Sequence, residues 1–395
     1  MLREEVKEQL AEHLVSRIQK TNEYILEKIG ESIKYMSTLT PTQAYKLGQI
    51  LKYGGSYEAI AKELAKASGK NVEEIYKIFE EVAKQNKEFA KQFYKYRNID
   101  FIPYNKDNAL KKQVNSIAKA TAKTYLNISH TTGIGFLFED IKGQMMFKNI
   151  KDTYEEVIDR GILAISQGKE TFTNEMRRIM KQLGNSGVVL YNSGHTRRLD
   201  SAVRMNLLDG LRELNMENHK RFGKEFKADG IEITTHSHPA PDHEDIQGRQ
   251  FSNKEYDKLE EGKTAIDYKG NRYDGSNRRH IGELNCYHSI LTIVLGVSKP
   301  QLTDEQLEKI KEDNQKGFKY NGKKYTLYQG TQIQRRIELE IRKKKDTQIL
   351  AGASGDEELA KESELKIRQL TNKYNEFCKI SGLAPQKQRL AIPRI

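Results

Sequence analysis

The sequence predicts an α+β protein that is predominantly α-helical, with one small β-containing module rich in His and Cys. Three observations carry this. Most of the 395 residues place apolar side chains at helical spacing between Lys and Glu. Only residues 231–298 are rich in turns and β-prone residues, and five of the nine histidines and one of the two cysteines fall there. The hydrophobic fraction is 36% and the charged fraction 31%, which suits long helices with one buried stripe each rather than one thick core.

Taken in order, Val6, Leu10, Leu14, Ile18, Ile25 and Ile29 form a helical stripe over residues 3–36. Thr40-Pro41-Thr42 starts a segment with Pro at the first helical position, and Gly54-Gly55-Ser56 ends it. Helices are expected over 56–67 and 71–96, the second capped by Asn71, with Val72, Ile75, Phe79, Val82, Phe89, Phe93 and Tyr96 on its core face. Phe101-Ile102-Pro103-Tyr104 breaks the pattern. Helices follow over 106–127 and 150–167, with Thr131–Phe136 read as a loop between them; Gly133 and Gly135 lack the spacing of a phosphate loop. Thr173 is placed as the cap of a helix to Leu183, Gly184–Gly187 as a turn, and Val188–Tyr191 as a short strand. A polar loop, Asn192–Asp200, leads into a helix to about Phe222, with Asp200 as its cap and Arg204 and Arg212 along one side.

Ile231–Thr235 reads as a strand, and hairpins are expected around Gly270-Asn271 and Asn321-Gly322. Helices return over 303–315, 329–346 and 356–381. The resulting division is an N-terminal helical domain (1–103), a central helical domain (104–230), the β-containing module (231–328) and C-terminal helices (329–395).

The formal charge of +12 favours nucleic acid, an acidic partner or a phosphate-rich surface, although many Lys-rich helical proteins bind no polyanion. The densest basic run, Arg335, Arg336, Arg342, Lys343, Lys344 and Lys345, is the candidate contact for nucleic acid or an acidic protein; a solvated helix face is the other reading. Two cysteines make no disulfide framework and suit a reducing compartment. The charged N-terminus does not resemble a signal peptide, and no apolar run approaches the ~20 residues that span a bilayer. A soluble intracellular product is expected.

The His-rich stretch admits several chemistries. His236-Ser237-His238-Pro239 after a strand resembles the start of a JAMM metalloprotease motif, but the positions that need Ser and Asp hold Ile246 and Arg249. A metallo-β-lactamase pattern is interrupted by two extra residues before Asp242-His243, and an HNH-type nuclease lacks its ββα spacing. A metal-dependent hydrolase, JAMM-like or nuclease, would use His236, His238, Asp242 and His243. A closed structural zinc site would instead use His236, His243, Cys286 and His288. The same four side chains could equally be hydrogen-bonded core groups that clamp a loop, with Cys286 as a small hydrophobe.

A family resemblance rests on Thr235-His236, Pro241-Asp242-His243, Ile246-Gln247-Gly248, Phe251-Ser252, the closure Gly282-Glu283-Leu284-Asn285-Cys286-Tyr287-His288-Ser289, and Gly296-Val297-Ser298. Gly194, Arg198, Ala202-Val203-Arg204, Tyr325–Tyr328, Gln334–Glu338 and Ile341-Arg342 extend it. On these residues, across roughly 190–395, the chain resembles the minor capsid proteins of tailed phages and, more distantly, the Mu F-type head morphogenesis proteins. It departs from their pattern at Ile246, where they carry Trp, at Tyr287, where they carry Arg, and at Thr292–Leu295, where they carry a Phe-Pro turn.

The resemblance implies a virion structural protein without enzymatic activity, made in the bacterial host cytoplasm. It would lie in the head interior near the portal, assisting head assembly or DNA packaging and ejection. It implies the portal protein and other head proteins as partners; the +12 charge and the basic run add an expected weak, non-specific contact with packaged double-stranded DNA, and no membrane contact and no cofactor beyond a structural zinc are expected.

Overall fold

The computed structural model describes residues 4–43, 56–129, 134–139, 144–184, 187–190, 196–260, 280–282 and 286–390. Among these residues long helices dominate, accompanied by a four-stranded, a three-stranded and a two-stranded antiparallel sheet. The predominantly helical α+β expectation holds. Among the described residues no helix is long and apolar enough to cross a membrane. The chain forms two compact units, each assembled from three separate stretches.

The first unit comprises Met1–His13, Val72–Tyr125 and Arg204–Gln332. Its main helical pieces are the larger part of Ser56–Tyr96, most of Asn108–Ser129 and most of the helix Leu199–Glu225. Residues 56–96 are one helix, not two: the expected break at Asn71 does not occur, because that side chain is buried within the helix. Ile75, Phe79 and Val82 are buried as expected, whereas Phe89 and Tyr96 are exposed. Gly210 lets helices approach closely, since a Cβ there would collide with Thr121 and Phe79. Asn86 Nδ2 donates to Asn215 Oδ1 at 2.6 Å, joining the same helices in a buried polar contact.

One buried cation organises this unit. Lys87 is only 2% exposed, and its Nζ lies 3.3 Å from both Asp107 and Glu225. It also stands 4.8 Å from the Tyr94 ring centre and 4.9 Å from that of Phe222. The carboxylates and the aromatic faces together replace the water that this ammonium gives up. Tyr94 donates to Glu225, and Arg221 Nη2 reaches Asp107 at 2.8 Å.

The three-stranded sheet of this unit sets the site. Strand β1 (Gly230–Ile233) lies between β2 (Gln250–Ser252) and β3 (Ile290–Ile293), with Ile231 opposite both Phe251 and Thr292. Ile231, Ile233, Ile246, Tyr256, Ile281 and Ile290 form its core, with Met216, Phe251 and Leu259 packed on it. The Asn321-Gly322 hairpin is present: both residues have positive φ (48° and 77°), as a two-residue hairpin turn requires. The hairpin expected at 267–275 lies outside the described residues.

The second unit comprises Leu14–Asn71, Leu126–Val203 and Ile333–Ile395. Leu14, Ile18, Ile25 and Ile29 are buried, as their stripe predicted. Arg17 donates to the Asn71 side chain. The segment read as a loop is in part a strand, Ile134–Glu139, which pairs with Met145–Asn149 on one side and Val188–Leu190 on the other. Ile134, Phe136 and Phe138 are buried, and Gly135 faces the Lys148 carbonyl so closely that any side chain would clash. Helix Lys169–Gly184 begins before Thr173, whose hydroxyl donates back to the Lys169 carbonyl from within the helix rather than capping it. In the C-terminal pair, Leu327–Ser354 and Glu357–Ser381, Tyr374 donates to Glu338 at 2.9 Å in the buried seam.

Candidate functional site

Local backbone bonding folds the His-rich stretch onto itself. Beyond β1 the chain stays paired with the segment before β3: Thr234 N donates to Ser289 O and Ser289 N to Thr234 Oγ1, both at 2.9 Å. This register puts His236 beside His288, with ring centres 4.5 Å apart. Residues 240–248 form a compact turn in which His243 N donates to Ala240 O and Gln247 N to His243 O. Gly248 closes the turn by donating to Ile233 O at 2.7 Å. Its φ is +70°, and a Cβ there would press on Leu307 and Thr235, so this position requires glycine.

The outcome is a cluster of three potential ligands, His243, Cys286 and His288, whose donor atoms lie within 4.8 Å of one another, all buried. Cys286 Sγ is 3.3 Å from His243 Nδ1 and 3.4 Å from His288 Nδ1. On the outer side His288 Nε2 is 3.2 Å from Gln247 Oε1, and His243 Nε2 is 3.7 Å from the Asp242 carboxylate. Three of the four residues expected from sequence therefore converge, and His236 lies next to them, half-buried. Asn285 falls outside the described residues.

The hydrolase set of His236, His238, Asp242 and His243 is not the one that gathers. His238 Nδ1 contacts Ser237 Oγ at 3.2 Å, and burial lowers its pKa from the ordinary imidazole value. The cluster takes Cys286 and His288 instead of His238 and Asp242. Arg249, which displaced the JAMM carboxylate in the sequence, is exposed and bonds the Asp245 carbonyl. Gln247 carries a role that residue type alone did not reveal. Its Oε1 accepts the His236 backbone N–H at 3.2 Å while facing His288, and so ties both ends of the stretch together.

The basic run of the C-terminal helix divides. Arg342 Nη1 pairs with Asp200, and Arg198 bridges Asp200 to Asp346, with N–O distances of 3.4 and 2.9 Å. Asp200 is thus one half of a buried ion pair, not the helix cap expected. Burial alone would raise its pKa, but Arg198 and Arg342 outweigh this and hold the carboxyl well below the usual range. Lys343 pairs with Glu340 at 2.7 Å, and Lys345 donates to the Leu390 carbonyl. Arg336 is exposed, while Arg335 and Lys344 are half-buried. Nearby Glu23 is only 6% exposed, and burial first, then Glu27 and Asp346, pushes its pKa up to about 7.

His243, Cys286 and His288 are all buried, in a fold built of long helices and small antiparallel sheets. The chain belongs to the family described as Phage minor capsid protein 2, matched over residues 2–379. That span takes in the N-terminal helices, which the sequence motifs had left undiagnosed. The family is one of structural capsid proteins, not of enzymes, and places the chain among virion components. No curated protein matches the chain, and no solved structure does.

Proposed function

We propose that this chain is a portal-proximal protein of the phage head interior that assists head assembly or the packaging and ejection of DNA. The observation that carries the reading is the family match over residues 2–379, nearly the full chain. The +12 charge supports a place beside packaged duplex DNA or an acidic portal surface. Neutralisation of phosphates by Lys and Arg is blind to sequence and falls steeply with salt. Within the basic run the exposed Arg336 and the half-buried Lys344 suit such a contact best, since Arg342, Lys343 and Lys345 already serve partners inside the fold. The three-stranded sheet and the turn at 240–248, held together at the His/Cys cluster, act in this reading as a mount and do no chemistry.

Removing the gene from the phage and inspecting the particles tests the role. The expected result is heads that assemble poorly or fail to fill or deliver their DNA, restored by the gene supplied in trans. Normal yields of infectious, filled particles without the gene would refute the role.

A further inference from the structure

The geometry points to a zinc ion bound by His243, Cys286 and His288, with His236 as the fourth ligand: a closed structural centre that locks the two ends of the 236–288 stretch. The first argument is spacing. Ligands held about 2.0–2.3 Å from a tetrahedral zinc lie roughly 3.3–3.7 Å from one another. The sulfur-to-nitrogen distances of 3.3 and 3.4 Å already match such edges.

The second argument counts protons. Gln247 Oε1 accepts the His236 backbone N–H, which fixes it as the oxygen of the amide. Facing that oxygen at 3.2 Å, His288 Nε2 must carry its proton, so in a neutral ring Nδ1 presents a lone pair to Cys286. His243 Nε2 faces the Asp242 carboxylate at 3.7 Å, which favours the same tautomer and aims a second Nδ1 lone pair at the same sulfur. One thiol carries at most one proton and cannot donate to both. A cation between a thiolate and two imidazole lone pairs satisfies all three together.

The outer contacts agree. A metal-bound imidazole typically donates its other N–H to an oxygen acceptor, as His288 is placed to do to Gln247, and the Asp242 carboxylate stands 3.7 Å from His243 Nε2. One thiolate with imidazoles suits zinc and does not suit magnesium or calcium. His236 lies outside the converging donor atoms but is half-buried with its ring centre 4.5 Å from that of His288, near enough for a turn of its side chain to supply the fourth ligand. On binding, Cys286 releases its thiol proton to solvent, and one Zn–S and three Zn–N bonds form with no redox change.

The test uses the full chain, purified without chelator and analysed for metal, then stripped and titrated with zinc and with cobalt(II). About one zinc per chain is expected, together with a near-ultraviolet thiolate-to-cobalt band in the substituted protein. Cys286→Ser should lose the band, and Cys378→Ser should keep it. Since Cys286→Ser could also unfold the module, Gln247→Ala provides a milder probe as a positioning residue: folding retained, zinc affinity lowered about 10- to 100-fold. A folded wild-type chain that holds below about a tenth of an equivalent of zinc, and takes up neither ion on titration, overturns the proposal.

Discussion

Cys286 Sγ stands 3.3 Å from His243 Nδ1 although 43 residues separate them in the chain. The contact pins the turn after β1 to the segment before β3, and Gln247 and Gly248 tie that turn back to His236 and Ile233. His243 is fully buried, whereas the neighbouring His238 is half-buried and stays outside the cluster. His243→Ala should therefore destabilise the first unit by about 2–4 kcal/mol through a cavity and lost polar contacts, while His238→Ala stays within about 0.5–1 kcal/mol. Denaturant unfolding of the two variants checks this; equal losses would deny His243 its clamping role.

A second outcome concerns Lys87. Replacing it with Met keeps the length but leaves Asp107 and Glu225 without their ammonium and three aromatic rings without their cation. Breaking a buried pair from one side costs about 3–5 kcal/mol, to which the remaining Arg221 contact sets a partial limit. Urea unfolding should show the loss, and a variant as stable as the parent would mean that the cage does not hold the helices together.

Glu23 gives the second unit a pH dependence. Its folded pKa is about 7, against 4.5 for the ordinary group, so between these values the folded chain holds more protons than the unfolded one. The protonated carboxyl's contribution is full below pH ~4.5 and is lost as pH rises to ~7, a decline of about 3 kcal/mol at about 1.4 kcal/mol per pH unit. Glu23→Gln should raise the melting temperature at about pH 8 and change it little near pH 4.5. An equal shift at both values would remove the carboxyl as the cause.

Arg342 and Asp200, 142 residues apart, test whether part of the basic run is structural. Arg342→Gln alone should cost about 3 kcal/mol because it leaves a carboxylate buried beside Arg198, and adding Asp200→Asn should restore much of that. A double-mutant cycle measures the coupling. If the two losses simply add, the pair is not coupled.

Two further basic side chains of the same helix are probed separately. Arg336→Gln with Lys344→Gln should leave the melting temperature within about 1 °C and weaken binding to duplex DNA, with wild-type affinity falling steeply from about 50 to 200 mM salt. Unchanged affinity in the variant would move the contact to another surface.

The helices were legible because one periodic stripe forms each, and the Asn-Gly hairpin because its turn needs two positive φ angles. The strand at Ile134–Glu139 was not, since burial on both of its faces removes the alternation that marks a strand, and Gly135 imitates a loop residue. Asn71 has the residue type of a cap, yet its partner Arg17 lies 54 residues away, and no local pattern signals that. The His/Cys cluster was visible as reactive residues at both ends of one stretch. Gln247, Lys87 and Glu23 were not: an amide before a glycine, a Lys and a Glu on charged helices look like surface until their long-range partners are known.

Cross-linking with mass spectrometry on purified, DNA-filled heads measures the proposed place of this chain most directly. The expected result is cross-links from this chain concentrated on the portal protein, with Lys344 among the reactive positions. Cross-links confined to the shell of the head, with none to the portal, would contradict it.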